Sequence, residues 1–150
     1  MAFAQHHFES DGKQITSAVI EDVYNRFEGI TWYMQKMLHT LYNMTSSGST
    51  CDVDMVDEAL ESVVDSFKYT YSEILFRMPE KQKELLIAIT KEGKAQSITS
   101  GAFIKKYKLA SASSVQSALK GLLEKDFITH EQGIYQIYDR FFGIWLKENY

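Results

Sequence analysis

Cysteine and proline are almost missing from this sequence, which contains one of each among its 150 residues. The single cysteine, Cys51, cannot form an internal disulfide, and this fits a reducing compartment such as the cytoplasm. The single proline, Pro79, leaves long stretches of the chain free to form helices. No apolar run approaches the roughly 20 residues that a membrane-spanning helix needs, and the N-terminus has no signal-peptide pattern. We therefore expect a cytoplasmic protein without a membrane segment.

Positive charge is scarce in the first half of the chain and in excess in the second half. Residues 1–78 carry five Lys or Arg against twelve Asp or Glu, whereas residues 79–150 carry eleven against eight. A net positive charge favours contact with a polyanion, and a net negative charge opposes it. The asymmetry suggests two modules, of which only the second could approach a nucleic acid.

Apolar residues recur at helical spacing through the first half. A first helix is predicted after Ile15, with Thr16 as its N-cap and Gly29 at its end. A second helix follows, and a third, long helix is predicted over 54–76. The apolar stripe of the second helix is expected to consist of Ile30, Met34, Met37, Leu38 and Leu41. The pattern predicts an all-helical bundle over residues 1–77.

Residues 98–138 have the order of elements of a winged helix-turn-helix: a short helix, a turn, a second amphipathic helix and a tight hairpin. Thr99 is expected to cap the short helix. Ser113 and Gln116 form a capping-box pattern that would open the presumed recognition helix. The dipeptide Gln132-Gly133 predicts the hairpin turn, because glycine readily adopts the positive φ that tight hairpins require.

A further helix is predicted on each side of this module. Pro79 suits the first position of a helix that ends at Gly93, and Asp139 can cap a terminal helix. The aromatic residues around this last helix are expected to be buried; they are Tyr138, Phe141, Phe142 and Trp145. The sequence thus predicts a mainly α protein, with a helical bundle over 1–77 and a winged-helix domain with a small β-hairpin over 78–150.

Several segments carry a resemblance to a known family: FEGITWYMQKMLHTLY (27–42), SASSVQSALKGLLEKDFI (111–128) and YQIYDRFFGIWL (135–146). They resemble the C-terminal portion of archaeal-type P-loop ATPases, relatives of the AAA+ and signal-transduction ATPases with bacterial members of the Bacteroides type. In that family a nucleotide-binding core precedes a helical lid and a winged helix. The resemblance implies that this chain is the lid and the winged helix, and that its partner is the ATPase core of the full-length protein.

The chemistry of that family requires a glycine-rich loop ending in Lys-Ser/Thr and an acidic residue that holds Mg²⁺. The eight glycines here are scattered singly, and Gly93-Lys94 lacks both a partner glycine and a hydroxyl. ATP and magnesium are therefore implied for the full-length family, whereas we expect no cofactor and no enzymatic activity in this chain. Related lids often contain a Gly-x-Pro segment near the base. Here the segment reads Gly29-Ile30-Thr31, which argues against a nucleotide contact by this lid.

The recognition helix and the helix before it supply the candidate contact residues for DNA or a protein partner. They are Lys105, Lys106, Lys108, Ser113, Ser114, Ser117 and Lys120. Only Lys120 adds positive charge to the recognition helix, Glu124 follows it one turn later, and the wing tip contains Glu131. Gln116 is assigned to capping. Because affinity for DNA depends on the number of phosphates neutralised, weak and salt-sensitive DNA binding is the most that these residues predict.

Three functions remain open at this point. The winged helix could dock on protein partners or relay the nucleotide state of an ATPase core. It could instead be the reading head of a DNA-binding regulator, or the dimer contact of an adaptor protein. Metal binding and catalysis are not expected, because His6 and His7 have no further ligands at suitable spacing and Cys51 has no histidine at a suggestive distance.

Overall fold

The fold is taken from a computed structural model, in which residues 2–150 are described. The described residues are mainly helical, with one antiparallel hairpin, as the sequence predicts. They divide into two compact units, of which the first ends at Ser66 and the second spans Phe67–Tyr150. The division therefore lies earlier in the chain than the predicted one between residues 77 and 78.

The first unit contains the elements α1 (Ala2–Ser10), β1 (Gln14–Ile15), α2 (Ser17–Arg26), α3 (Thr31–Met44), β2 (Thr50–Cys51) and α4 (Asp54–Ser66). The two strands pair in parallel, with Gln14 opposite Thr50 and Ile15 opposite Cys51. The sequence pattern predicts neither α1 nor this strand pair. Strands of two residues are too short to show the alternation on which a sequence prediction of strands depends.

Helix α2 follows directly from strand β1. Thr16 occupies the predicted N-cap position with extended backbone, but its side chain makes no capping hydrogen bond. Its N–H instead donates to the carbonyl oxygen of Cys51 at 3.3 Å, so the strand pair orients the start of the helix. The buried residues of α2 are Val19, Ile20 and Val23.

Helix α3 buries part of the predicted stripe and one further residue. Tyr33, Met37 and Leu41 are buried, whereas Ile30 is the N-cap residue and is 39% exposed. Tyr33 stacks on Phe27 with ring centroids 5.3 Å apart. The prediction is correct for Met37 and Leu41 but missed Tyr33, because it counted only aliphatic residues, although a tyrosine ring buries a large apolar area.

The predicted long helix over 54–76 is in fact two helices, α4 and α5 (Lys68–Arg77). The hydroxyl of Ser66 donates to the carbonyl oxygen of Val63 at 2.6 Å, a local bond of the type that competes with continued helix. Helix α5 belongs to the second unit. There Tyr71 stacks on Phe142 with a centroid distance of 4.7 Å, which explains why the division precedes α5.

After α5, the second unit contains α6 (Glu80–Glu92), α7 (Gly101–Lys106), α8 (Ala112–Glu124), β3 (Ile128–Glu131), β4 (Ile134–Ile137) and α9 (Arg140–Asn149). Strands β3 and β4 form the antiparallel hairpin. Gln132 and Gly133 both have positive φ, 51° and 75°, so the predicted hairpin turn is confirmed. Ala95 adds a single antiparallel bridge to Tyr135.

Helices α6, α8 and α9 supply most of the core of the second unit. Its largest fully buried side chains are Leu85, Leu86, Ile89, Leu122, Phe141 and Leu146. Phe142 is also buried, but Tyr138 is 61% exposed and Trp145 is half-buried. The predicted burial of the aromatic cluster is therefore correct for two of its four members.

Capping residues define the ends of these helices, and two glycines lie where other side chains come close. Pro79 is the N-cap of α6 rather than its first residue, and Gly93, with φ 80°, ends that helix. Asp139 caps α9 as predicted, since its carboxylate accepts hydrogen bonds from two N–H groups of the first turn. A Cβ at Gly143 would lie 2.6 Å from the Ile137 side chain, whereas a Cβ at Gly121 would meet only the movable end of Gln82.

Candidate interaction surface of the winged helix

Helix α8 begins earlier than the sequence suggests, because Ser111 is its N-cap. The Oγ of Ser111 accepts a hydrogen bond from the Ser114 N–H at 3.1 Å. Ser113 lies inside the first turn, and the predicted capping box of Ser113 and Gln116 is therefore wrong. A similar shift occurs at α7, where Ser100 and not Thr99 is the cap, with its Oγ accepting from the Phe103 N–H at 3.2 Å.

This shift leaves one polar face of α8 exposed to solvent. Ser113, Gln116, Ser117 and Lys120 share that face because they are spaced three and four residues apart, and all four are exposed. Ser114 is only half-buried and lies beside them. The opposite face buries Val115, Ala118 and Leu122. We call the four exposed residues the α8 face; it includes Gln116, which the sequence analysis assigned to capping.

The α8 face carries little net charge. The Nζ of Lys120 lies 3.9 Å from a carboxylate oxygen of Glu124, with the two side chains 78% and 65% exposed. An exposed pair of this kind contributes little to stability. It nevertheless places a negative charge beside the one cation of the face and so lowers the local positive potential.

The predicted basic cluster on α7 is divided by the structure. The Nζ of Lys106 lies 2.6 Å from Oε1 of Glu92, and the hydroxyl of Tyr107 donates to the same oxygen at 2.6 Å. The pKa of Glu92 is held below its ordinary value, first by the hydrogen bond from Lys106 and to a smaller extent by the one from Tyr107. Lys106 is thus paired with Glu92 of α6, although its side chain is 62% exposed. Lys105 and Lys108 are also exposed.

The wing contains no lysine or arginine between residues 128 and 138. Glu131, Gln132 and Gly133 at its tip are exposed. Across the hairpin His130 stacks on Tyr135 with ring centroids 4.0 Å apart and an interplanar angle of 5°. Nothing in the sequence beyond the hairpin register indicated this stacked pair. The wing therefore offers an aromatic surface and an acidic tip, which is unfavourable for contacts with phosphates.

The second unit as a whole is nevertheless positive, with thirteen Lys or Arg against nine Asp or Glu. The first unit has three against eleven. The difference in net charge between the two observed units is therefore larger than the difference between the two predicted modules. The excess positive charge of the second unit is spread over several helices and is not concentrated on the α8 face.

Other kinds of site find little support in the described residues. Cys51 is fully buried in β2, and burial raises the pKa of its thiol, which makes the reactive thiolate scarce. Among residues 2–150 no group of three or more His, Cys, Asp or Glu side chains could hold a metal ion. Within the same part of the chain no helix has the length and apolar character needed to cross a membrane.

Comparison with known families agrees with this geometry. A family described as a probable winged helix domain matches residues 69–148, more than half of the chain. The match begins within α5, as expected if that helix belongs to the second unit. No curated protein and no solved structure matches the chain, and nothing in these comparisons links it to the P-loop ATPases. With its two capped helices and its hairpin wing, the chain belongs to the family of probable winged helix domains.

Proposed function

We propose that this chain is a non-catalytic interaction region whose winged helix docks on a protein partner through the α8 face. The observation that carries the proposal is the composition of that face: three uncharged polar residues and one cation, Lys120, which has Glu124 beside it. Protein interfaces have few charged residues at their centre. DNA binding depends instead on cations that neutralise phosphates.

The proposed partner is the nucleotide-binding core of a P-loop ATPase, and the docked winged helix would relay its nucleotide state. Support comes from the resemblance of residues 27–42 and 135–146 to the lid and winged helix of such ATPases. It also comes from the absence of a glycine-rich lysine loop in the sequence. The purified chain should release no phosphate from ATP in the presence of Mg²⁺. Turnover above that of a buffer blank would refute the non-catalytic part of the proposal.

The docking part is tested by site-specific cross-linking in cells. A photoreactive phenylalanine analogue placed at Gln116, on the α8 face, should give a protein adduct, and mass spectrometry should identify a P-loop ATPase in it. The same analogue at Glu148, which is exposed on α9, is the matched control and should give no such adduct. Equal adducts at both positions, or an adduct with nucleic acid alone at Gln116, would contradict the proposal.

A second candidate, DNA binding, is favoured by one specific observation. Because Ser111 supplies the cap of α8, Gln116 is exposed, and a glutamine on a recognition helix can form paired hydrogen bonds with adenine in the major groove. Lys105 and Lys108, which shortly precede α8 in the sequence, are exposed as well. Duplex DNA binding measured by fluorescence anisotropy across a salt series separates the two functions.

Under protein docking, the anisotropy of labelled DNA should not rise at protein concentrations up to about 1 μM in low salt, the tight end of the usual range of dissociation constants for non-specific binding. Tighter binding that weakens steeply with salt would favour the DNA-binding function. Such binding should be lost in Lys105→Glu/Lys108→Glu and kept in Lys147→Glu, since Lys147 is an exposed cation on α9. Lys106 is left unchanged because its substitution would break the bond to Glu92.

A further inference from the structure

Helix α5 exposes two large aromatic side chains on one face. Phe76 is 90% exposed and Tyr69 is 80% exposed. They lie on the same side of the helix because they are seven residues apart. The buried residues of α5 are Tyr71 and Leu75. A phenylalanine is usually buried, so this exposed face is not explained by the packing of the second unit.

A groove of about 230 Å³ lies beside this face. The described residues that line it are three apolar ones, Ile74, Met78 and Phe127, and two cations, Arg77 and Lys125. At about 100° per residue, Arg77 projects between the direction of Phe76 and that of Ile74. The exposed aromatic face is therefore continuous with the cationic edge of the groove.

The size of the groove limits what it can hold. Sites for small molecules and cofactors usually have about 300–1,000 Å³, and this groove is smaller. Its volume suits one aromatic or long aliphatic side chain presented by a polypeptide. Binding energy at protein interfaces is often concentrated in such single anchors.

The charged groups at the groove are available to a partner. An Nη of Arg77 lies 2.6 Å from Glu73, with the two side chains 76% and 61% exposed. Lys125 donates to the side-chain oxygen of Gln82 at 3.3 Å. Exposed contacts of this kind contribute little to stability, so a partner carboxylate can replace them at low cost. Carboxylates pair well with a guanidinium and an ammonium group at an apolar site.

We infer that this surface binds an acidic peptide segment that inserts one aromatic side chain into the groove. We call it the α5 surface and define it as Phe76, Arg77 and Lys125 together with the three apolar lining residues. The carboxylates of the peptide contact Arg77 and Lys125, and its apolar neighbours cover Phe76. The inference goes beyond the proposed function because it concerns a second surface, none of whose residues belongs to the α8 face.

The test uses the full chain and a fluorescein-labelled hexapeptide of sequence Asp-Glu-Asp-Trp-Glu-Asp. We expect saturable binding that weakens by about tenfold or more when Trp is replaced by Ser, as for a truncated anchor. Arg77→Glu should weaken binding to a similar degree, and Phe76→Ala should weaken it several-fold. Both residues are exposed, so these variants should keep the fold, which circular dichroism will check.

Lys91→Glu is the matched control, because it makes the same change of charge at an exposed position of α6 that belongs to neither surface, and it should leave peptide binding unchanged. The inference is overturned if the Ser peptide binds as tightly as the Trp peptide, or if Arg77→Glu and Lys91→Glu have equal effects. It is also overturned if the unlabelled chain self-associates in sedimentation equilibrium and displaces the peptide, because the occupant is then a second copy. The cross-link at Gln116 is unaffected by Arg77→Glu in every case, so a failure here is distinguishable from a failure of the proposed function.

Discussion

Replacing Ser111 by alanine should destabilise the second unit, whereas replacing Ser113 should not. The first four N–H groups of a helix have no partner within the helix, and Ser111 Oγ satisfies one of them, the N–H of Ser114, at 3.1 Å. Loss of an N-cap serine costs about 1 kcal/mol. Ser113 is exposed, and its hydroxyl lies 3.2 Å from the hydroxyl of Ser111. Alanine at that position should change stability by at most a few tenths of a kcal/mol, because it is the better helix former.

The expected loss is large enough to measure. For a domain of the size of the second unit, about 1 kcal/mol lowers the midpoint of thermal unfolding by roughly 4–8 °C. The two tryptophans, Trp32 and Trp145, lie in different units. Thermal melts are therefore followed by tryptophan fluorescence in a Trp32→Phe background, in which Trp145 reports the second unit alone. Trp145 contacts the ring of Tyr71 at a centroid distance of 5.7 Å and should respond to unfolding of the core.

A rescue variant completes the test. Ser111→Asp should restore or exceed the original midpoint, because aspartate is an equally good cap and its charge favours the helix N-terminus. If Ser113→Ala lowers the midpoint as much as Ser111→Ala, the reasoning is refuted and α8 begins later than described. Gln116 would then be a capping residue, and the α8 face would lose its central member.

Three further predictions concern glycines, pH and the cysteine. Gly143→Ala should lower the free energy of unfolding by about 1–3 kcal/mol through overpacking, whereas Gly121→Ala should leave it unchanged or raise it by up to about 1 kcal/mol; equal losses in urea denaturation would contradict this. Glu92→Gln should lower the thermal midpoint near pH 7. The lowered pKa of Glu92 gives stability that is present above the ordinary glutamate pKa and lost as the pH falls through the folded-state pKa, so the difference from the original protein should shrink as the pH falls below the ordinary glutamate pKa; a difference that does not depend on pH would exclude the contact with Lys106 as its source. Cys51 should react with a thiol reagent at least about 100-fold more slowly in the native protein than in denaturant, and rapid native labelling would show that β2 is accessible.

Features set by a few neighbouring residues could be predicted from the sequence. The hairpin turn at Gln132-Gly133 follows from the conformational freedom of one glycine between two short apolar runs. Gly93 at the end of α6 and Asp139 at the start of α9 are likewise determined within one helical turn. The cap of α8 is also local, but residues 111–114 offer three serines. Which serine becomes the cap depends on where the helix must begin for Val115, Ala118 and Leu122 to face the core.

Features that depend on distant contacts could not be predicted. The pairing of β1 with β2 joins segments about 36 residues apart, and neither strand has a pattern of its own. The assignment of α5 to the second unit depends on the contact between Tyr71 and Phe142, which no periodicity within α5 reveals. The exposed pair Tyr69 and Phe76 did have a signal, namely two aromatic residues seven apart on the face opposite the buried stripe.

The position of the α8 cap also bears on the choice between DNA and protein as partner. The exposure of Gln116 adds a possible base contact but no positive charge. Base contacts distinguish between DNA sequences, whereas phosphate contacts position the protein on the duplex and must be present as well. The exposed lysines available to such a complex are Lys105, Lys108 and Lys120. If each neutralised one phosphate, raising the salt concentration from 50 to 200 mM would weaken binding by only about 40-fold, against the 10³–10⁵ typical of proteins with six to ten phosphate contacts. A nearly neutral helix face has no such requirement when its partner is a protein, because hydrogen bonds and packing then supply the affinity. The exposure of Gln116 thus strengthens the case for a specific contact without making DNA the better partner.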